Sequence, residues 1–131
     1  TTTENLEITK AFTVSFATKN TAKIADYFGC VSGHDEDKIK RTGVHVTKSE
    51  FVNAPIIEEF PLCLECEVDS FEDGNLIGTV KNVSIDENYL NDDGTIDVEK
   101  IEIISYDMTD QTYRVLGEKV CKAFGGYFAD L

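Results

Sequence analysis

The stretch from residue 27 to residue 38 contains glycines that would let backbone N–H groups come close to a ligand. It reads Tyr-Phe-Gly-Cys-Val-Ser-Gly-His-Asp-Glu-Asp-Lys. Glycine has no Cβ, so the N–H groups of a turn flanked by Gly29 and Gly33 can approach a bound group closely. The acid–base pair Asp37-Lys38 follows this turn. We interpret the stretch as a candidate binding loop, with an ordinary helix C-cap and turn as the alternative.

The spacing Cys63-Leu-Glu-Cys66 is the other arrangement with possible chemistry, because C-x-x-C is used in metal and redox sites. The flanking sequence alternates in the manner of a β-strand, and strand positions i and i+3 point to opposite faces. His34 and His45 do not supply a second ligand pair at a usual spacing. We therefore favour one buried cysteine that acts as a small hydrophobic residue.

The sequence lacks the residues that motifs for other kinds of chemistry require. His34 stands beside Asp35, but no G-x-S-x-G frames a serine nucleophile. There is no P-loop and no G-x-G-x-x-G that opens a helix. A calcium loop centred on Gly94 would need carboxylates where Tyr89 and Lys100 stand. We predict no catalytic side chain and no metal site.

Length and charge narrow the class of protein. The 131 residues predict a single domain, residues 1–131, large enough to bury a core. The net charge of −13 argues against a nucleic-acid partner and against an anionic membrane surface. No apolar run has the length of a membrane helix and no signal peptide is visible, so we expect a cytoplasmic protein.

Hydrophobic periodicity predicts the elements that position these residues. Helices are expected at Thr1–Lys10, at Thr21–Phe28 with Gly29 as its stop, and at Asp35–Arg41 before Thr42-Gly43. Phe12–Phe16 alternates as a strand, whereas residues 44–60 look irregular with an extended piece at 44–46.

The second half is more regular. Strands are expected at Leu62–Phe71 and Leu76–Ile85, joined by a hairpin at Asp73-Gly74. Further strands are expected at Ile101–Tyr106 and Thr112–Leu116, and a short terminal helix follows with Val120, Ala123 and Phe124. Short strands with a few helices predict a mainly β, barrel-like architecture.

Four segments in order give the chain a family resemblance. The loop 28–38 is similar to FG-x-x-SG-x-x-x-DK, and residues 53–66 resemble APLIEE-x-P followed by LECxV. Leu76–Val80 matches FIGEV, and Tyr113–Phe124 resembles YxxLGExVGKAF. These are landmarks of the flavin reductase-like, FMN-binding split-barrel family, which includes flavoredoxin. The resemblance implies a split β-barrel with Greek-key-like connections, of which this chain is the C-terminal two-thirds without the usual N-terminal portion.

The resemblance also implies a function and a set of site residues. FMN would be the cofactor, NAD(P)H or a redox partner would exchange electrons with it, and the protein would be a homodimer with flavin at its interface. Thr1, Thr2 and Thr3 at a helix N-terminus would bind phosphate, with ordinary N-capping as the alternative. The other implied flavin contacts are Cys30, Val31, Ser32, Gly33, Asp37, Lys38, Tyr113 and Arg114.

Two functions of other classes remain open from the sequence. A non-catalytic relative would bind flavin or haem without oxidising NAD(P)H. A structural β-domain would act through protein contacts and bind no chromophore. In that case Tyr113 and Arg114 are a surface pair.

Overall fold

The computed structural model describes residues 2–31 and 37–125, apart from the side chain of Thr2. The helices are α1 (Thr2–Thr9), α2 (Ala22–Cys30), α3 (Lys38–Thr42) and α4 (Val98–Ile101). The strands are β1 (Ala11–Ser15), β2 (Val46–Lys48), β3 (Pro55–Ile57), β4 (Leu62–Glu72), β5 (Asn75–Ile85), β6 (Ile104–Asp107) and β7 (Thr112–Val115). Short 3₁₀ turns lie at Lys19–Thr21 and Glu87–Tyr89.

An antiparallel sheet with strand order β1-β4-β5 forms the centre of the fold. The predicted hairpin between β4 and β5 is confirmed, and its turn places Asp73 at φ 52° and Gly74 at φ 78°. Two successive residues with positive φ are what a tight hairpin turn requires, and this explains the Asp-Gly signal.

The two faces of this sheet differ in character. The registers place Val14, Leu64 and Val83 side by side on one face, which is apolar. The opposite face carries polar side chains around Glu65, and the connection from β2 to β3 covers it. Buried apolar residues are Leu6, Ala11, Val44, Val52, Ala54, Phe60, Leu62, Cys63, Cys66 and Ile101.

Two small antiparallel sheets complete the described architecture: β2 pairs with β3, and β6 pairs with β7. The β2–β3 sheet lies in the stretch 44–60, for which the sequence predicts an irregular chain with one extended piece at 44–46. The extended segment begins at Val46 instead, and its pairing with β3 was missed. Its connection is not a recognisable turn sequence. It is held by Ser49, whose N–H donates to the Ala54 carbonyl at 3.0 Å.

Two helix boundaries differ from the predicted ones, because side chains or hydrogen bonds outweigh the local sequence signals there. Gly29 does not end α2, because the helical hydrogen bonds continue to the Val31 N–H, which donates to the Tyr27 carbonyl at 3.1 Å. Helix α3 begins at Lys38, with Asp37 as its cap, and ends at the predicted Gly43, where φ is 71°. The first part of that predicted helix, residues 35 and 36, lies outside the described residues.

Two predictions in the C-terminal third were wrong. Ile101 ends helix α4 instead of opening a strand, because the Asp97 carboxylate accepts a hydrogen bond from the Lys100 N–H and stabilises a helical turn. The predicted terminal helix is absent from the described residues 117–125. Val120 is 87% exposed there, and a short helix without a surface to pack against is marginal.

Both thiols of the C-x-x-C stretch are buried, Cys63 at 2% and Cys66 at 3% exposure, so the expectation of one buried cysteine was wrong. They alternate along the central strand β4, and both faces of that strand are covered at this point. Burial raises the pKa of each thiol, which keeps both of them protonated and unreactive.

Candidate functional site

The candidate loop leaves the end of α2 and returns at α3. Cys30 is exposed and Val31 is extended, with φ −107° and ψ 133°. The Val31 N–H already donates to the helix, so it is not a free donor for a ligand. Ser32 and Gly33 lie outside the described residues.

Asp37 and Lys38 fix the returning side of the loop. The Asp37 carboxylate accepts a hydrogen bond from the Lys40 N–H at 3.2 Å and caps α3. The Lys38 ammonium donates to the Phe28 carbonyl at 2.6 Å and lies 5.6 Å from the centre of the Phe28 ring. Lys38 therefore ties α3 to the end of α2 and holds together the two sides of the loop.

Tyr113 reaches the same region from strand β7. Its hydroxyl donates to Asp26 Oδ1 at 2.6 Å, and this hydrogen bond raises the pKa of Tyr113 to about 12. The hydrogen bond from Tyr113 to Asp26 brings strand β7 to helix α2, the helix that ends at Cys30.

Arg114 follows Tyr113 on β7 and makes different contacts. Its Nε donates to Asp107 Oδ2 at 2.6 Å, and its Nη2 lies 3.7 Å from Asp110 Oδ2. The hydrogen bond from Arg114 lowers the pKa of the Asp107 carboxyl. The two neighbours therefore have separate roles, since Arg114 braces the β6–β7 turn whereas Tyr113 contacts α2.

The predicted phosphate residues lie at the start of α1. The helix begins at Thr2 and Thr3 is exposed, while Thr1 and the Thr2 side chain are outside the described residues. The first N–H groups of a helix have no partner within the helix, and they carry partial positive charge. The acidic residue Glu4 in the first turn is favoured by the same partial positive charge.

A cleft of about 300 Å³ opens beside α1 and was missed by the sequence prediction. Its lining residues come from α1, from β1 and from the segment that enters β3: Asn5, Leu6, Thr9, Ala11, Phe12, Thr13, Asn53, Ala54 and Pro55. The motif at 53–55 was a signal for this region, although nothing in the sequence indicated which element would face it.

A second cleft, of about 420 Å³, lies between α1 and the outer part of β4. Glu7, Lys10 and Asp69 are in its lining, so its character is charged.

Within the described ranges, no three His, Cys, Asp or Glu side chains are placed to hold a metal ion. Among the same residues, no helix has the length and apolar character to cross a bilayer.

The fold is that of a mainly β domain, and comparison with known proteins supplies the family. Residues 1–100 match the model of the flavin reductase like domain. The chain belongs to the flavin reductase-like family. The family resemblance and the mainly β, split-barrel fold predicted from the sequence are both confirmed.

Three solved structures illustrate the similarity. Flavoredoxin of Desulfovibrio vulgaris (Miyazaki F) is 32% identical, with a TM-score of 0.89 over 95% of this chain and 68% of that chain. Flavoredoxin from Methanosarcina acetivorans is 29% identical, with a TM-score of 0.84 over 95% and 67%. Component B of nitrilotriacetate monooxygenase from Bacillus cereus shares the fold at 22% identity, with a TM-score of 0.76 over 91% and 63%. A search of curated protein sequences gives no significant match.

Proposed function

We propose that this domain binds FMN and passes electrons between it and NAD(P)H or a redox partner. The observation that carries the proposal is the match of residues 1–100 to the flavin reductase like domain. Flavoredoxins from two organisms superpose over 95% of the chain, which supports a flavin as the ligand. When bound, the flavin would supply the chemistry by accepting hydride, so the protein needs no nucleophile of its own.

The described residues fit such a cofactor in two respects. The first N–H groups of α1 have no partner within the helix, and Thr3 in that turn is exposed, which suits a phosphate. Lys38 ties the returning side of the loop to the end of α2, and Tyr113 contacts the same helix at Asp26. The proposed contacts of Thr1, Thr2, Thr3, Cys30, Val31, Ser32, Gly33, Asp37, Lys38, Tyr113 and Arg114 follow from the family resemblance.

Titration with FMN tests the proposal. Flavin fluorescence should be quenched at micromolar protein if FMN binds. Lys38→Ala removes the contact between α3 and α2 and should weaken binding about tenfold, the factor that about 1.4 kcal/mol represents. Lys40→Ala changes the same charge on the same helix without a comparable side-chain contact, so it should leave binding unchanged. An absence of any spectral change at saturating FMN would refute cofactor binding.

Reduction separates the catalytic proposal from a non-catalytic relative. Anaerobic NADH or NADPH should bleach the flavin absorbance of the FMN-loaded protein. A protein that binds FMN and is not bleached by either nucleotide would be a carrier that depends on another reductase.

We also propose that the protein is a homodimer. Val14, Val80 and Val83 lie on the apolar face of the central sheet and are 41%, 49% and 49% exposed. A contiguous apolar surface of this kind is typical of an interface. Light scattering should give twice the chain mass of 14.6 kDa, and Val83→Lys should shift the mass to that of one chain.

We also propose that the protein is cytoplasmic. Cys30, Cys63, Cys66 and Cys121 are all free thiols, which fits a reducing compartment.

A further inference from the structure

We propose that strands β6 and β7, together the β6–β7 ribbon, present an apolar face on which a basic redox protein docks. This inference rests on the proposed function, and it specifies the chemical class of the electron partner and the surface that the partner contacts.

The two faces of the ribbon differ in character. Cross-strand pairing places Tyr106 opposite Tyr113 and Ile104 opposite Val115. Side chains two positions apart along a strand share a face, so these four residues form one face, which is apolar apart from the two hydroxyls. The residues of the opposite face are polar: Ser105, Asp107, Thr112 and Arg114.

The side chains of the apolar face are exposed. Tyr106 is 53% exposed, Tyr113 43% and Val115 39%. Met108, in the turn that joins the two strands, is 80% exposed. Tyrosine and methionine are enriched at protein interfaces relative to the rest of a protein surface, and tyrosine is among the residues whose truncation costs the most binding energy. The composition of the ribbon is therefore typical of an interface.

The tyrosine rings are held in place before a partner arrives. The centres of the Tyr106 and Tyr113 rings are 5.7 Å apart, with their planes at 56°. The Tyr113 hydroxyl donates to Asp26 in α2 at 2.6 Å. At the start of β6, the Ile104 N–H donates to the Ala17 carbonyl at 3.1 Å and ties the ribbon to the segment after β1. A surface whose side chains are already ordered loses less conformational entropy on binding.

Charge indicates the kind of partner. Asp26, Asp107 and Asp110 supply three carboxylates at the ribbon, and Arg114, which pairs with the last two, supplies one positive charge. The whole chain has a net charge of −13. A field of this sign attracts a cationic protein, and it repels from this face both acidic proteins and a second copy of the chain. An apolar centre with acidic neighbours therefore fits a partner with a lysine-rich surface.

The position of the ribbon suits a partner that exchanges electrons with a flavin. Asp26, which Tyr113 contacts, lies four residues before Cys30 at the end of α2, about 6 Å along a helix axis. The candidate loop leaves α2 at that end, and Lys38 ties its returning side to Phe28. A protein docked on the ribbon would thus lie beside the loop to which the proposed function assigns flavin contacts.

The test uses ferrocytochrome c, a small basic redox protein, and an acidic ferredoxin as the probe of opposite charge. In ¹⁵N-labelled protein the backbone amide signals of Tyr106, Met108 and Tyr113 should shift on titration with ferrocytochrome c and should not shift with the ferredoxin. Added NaCl should weaken the binding of ferrocytochrome c, because salt screens the attraction over about 10 Å at 0.1 M.

Variants separate docking on the ribbon from diffuse attraction between opposite charges. Calorimetry should show that Tyr106→Ala weakens the binding of ferrocytochrome c about tenfold and that Met108→Ala weakens it in the same direction. Phe51→Ala is the matched control, since Phe51 is an aromatic residue that is 56% exposed and lies in the connection from β2 to β3. This variant should bind ferrocytochrome c as the wild type does.

The outcomes that overturn the inference are distinct from a failure of the proposed function. Equal affinity of the wild type and Tyr106→Ala, or an equal loss in Phe51→Ala, would mean that charge alone holds the cytochrome. A Tyr106→Ala protein whose mass by light scattering falls from two chains to one would show that this face joins two copies instead. Both measurements use flavin-free protein, so either result leaves the proposed function standing. Failure of the FMN titration, which contains no cytochrome, refutes the proposed function.

Discussion

Glu65 is the residue on which the polar side of the central sheet depends. It is 1% exposed, and its carboxylate accepts hydrogen bonds from Ser49 and Ser84 at 2.7 and 2.6 Å and a further one from Asn82. Burial alone would raise the pKa of Glu65, but the three hydrogen bonds outweigh it, and the pKa is lowered. No cation among the described residues pairs with Glu65, so hydrogen bonds keep this buried carboxylate ionised.

Removal of this carboxylate should be costly. Glu65→Ala leaves the buried Ser49 hydroxyl and two part-buried donors, on Asn82 and Ser84, without their acceptor. It should therefore reduce the free energy of unfolding by about 1–3 kcal/mol, the cost of one buried unsatisfied group. Glu67→Ala is the control, because Glu67 is exposed on the same strand and only faces Lys81 at 3.6 Å. Urea unfolding of both variants measures the difference, and equal losses would contradict the role given to Glu65.

The contact between His45 and Glu59 leads to a prediction about how stability depends on pH. His45 Nδ1 lies 2.7 Å from Glu59 Oε1, and this hydrogen bond raises the pKa of His45 above 6.5. A raised pKa means that the contribution to stability is complete below pH 6.5 and is lost as pH rises through the folded-state value. NMR titration should show a raised His45 pKa, which Glu59→Gln should return toward 6.5; an unchanged value would contradict the pairing. His34→Gln assigns the signals, since the chain has two histidines.

At the scale of elements, the contact between α2 and β7 depends on Asp26 and Tyr113. Asp26→Asn removes the carboxylate that holds the Tyr113 proton, so the pKa of Tyr113 should fall from about 12 toward 10. Since the pKa is raised on folding, this contact supports the fold below pH 10 and its contribution is lost as pH rises toward 12. Phenolate absorbance during a pH titration follows this change. Asp107→Asn is a control, because Asp107 is paired with Arg114, and the inference is wrong if both variants titrate alike.

Substitution by alanine should have opposite effects on stability at Gly78 in β5 and at Gly29 in α2. A Cβ on Gly78 in β5 would lie 2.7 Å from the Phe12 ring and 2.8 Å from the Glu67 carbonyl oxygen, so strands β1, β4 and β5 could not keep their spacing. Gly78→Ala should lower the free energy of unfolding by about 1–3 kcal/mol.

Gly29 in α2 has nothing within 4 Å of a built Cβ. Gly29→Ala should therefore raise stability by about 0.5–1 kcal/mol through helix propensity. Thermal unfolding compares the two substitutions, and changes of the same sign would contradict this account.

The sequence predicted correctly those elements whose backbone conformation is determined by the residues within the element. The β4–β5 hairpin was correct because Asp73 and Gly74 supply the two positive φ values of the turn. Helix α4 and the β2–β3 sheet were missed because single side chains, Asp97 and Ser49, fix the backbone there through contacts that no periodicity reveals. The terminal helix was predicted from its apolar spacing, which says nothing about whether a packing surface exists.

The candidate site was less predictable than the fold. The motif at 28–38 indicated the loop, but not that Lys38 would bind the Phe28 carbonyl. Tyr113 came from the family resemblance, and its partner Asp26 has no sequence signal. Asn5 and Asn53 are 48 positions apart (53 − 5), so only the tertiary fold shows that they line one cleft.

For the whole molecule, the net charge of −13 sets the conditions under which an anionic ligand approaches. FMN carries a phosphate, so the protein's field repels it at long range, and salt screens that repulsion over about 10 Å at 0.1 M. Added NaCl should therefore speed FMN association, the reverse of what a basic phosphate-binding protein would show. Riboflavin lacks the phosphate and should associate at a rate that NaCl leaves unchanged, which separates screening of charge from any effect of salt on the fold. Stopped-flow fluorescence measures both rates, and FMN association that slows as salt is added would mean that local cations such as Lys38 outweigh the field of the whole chain.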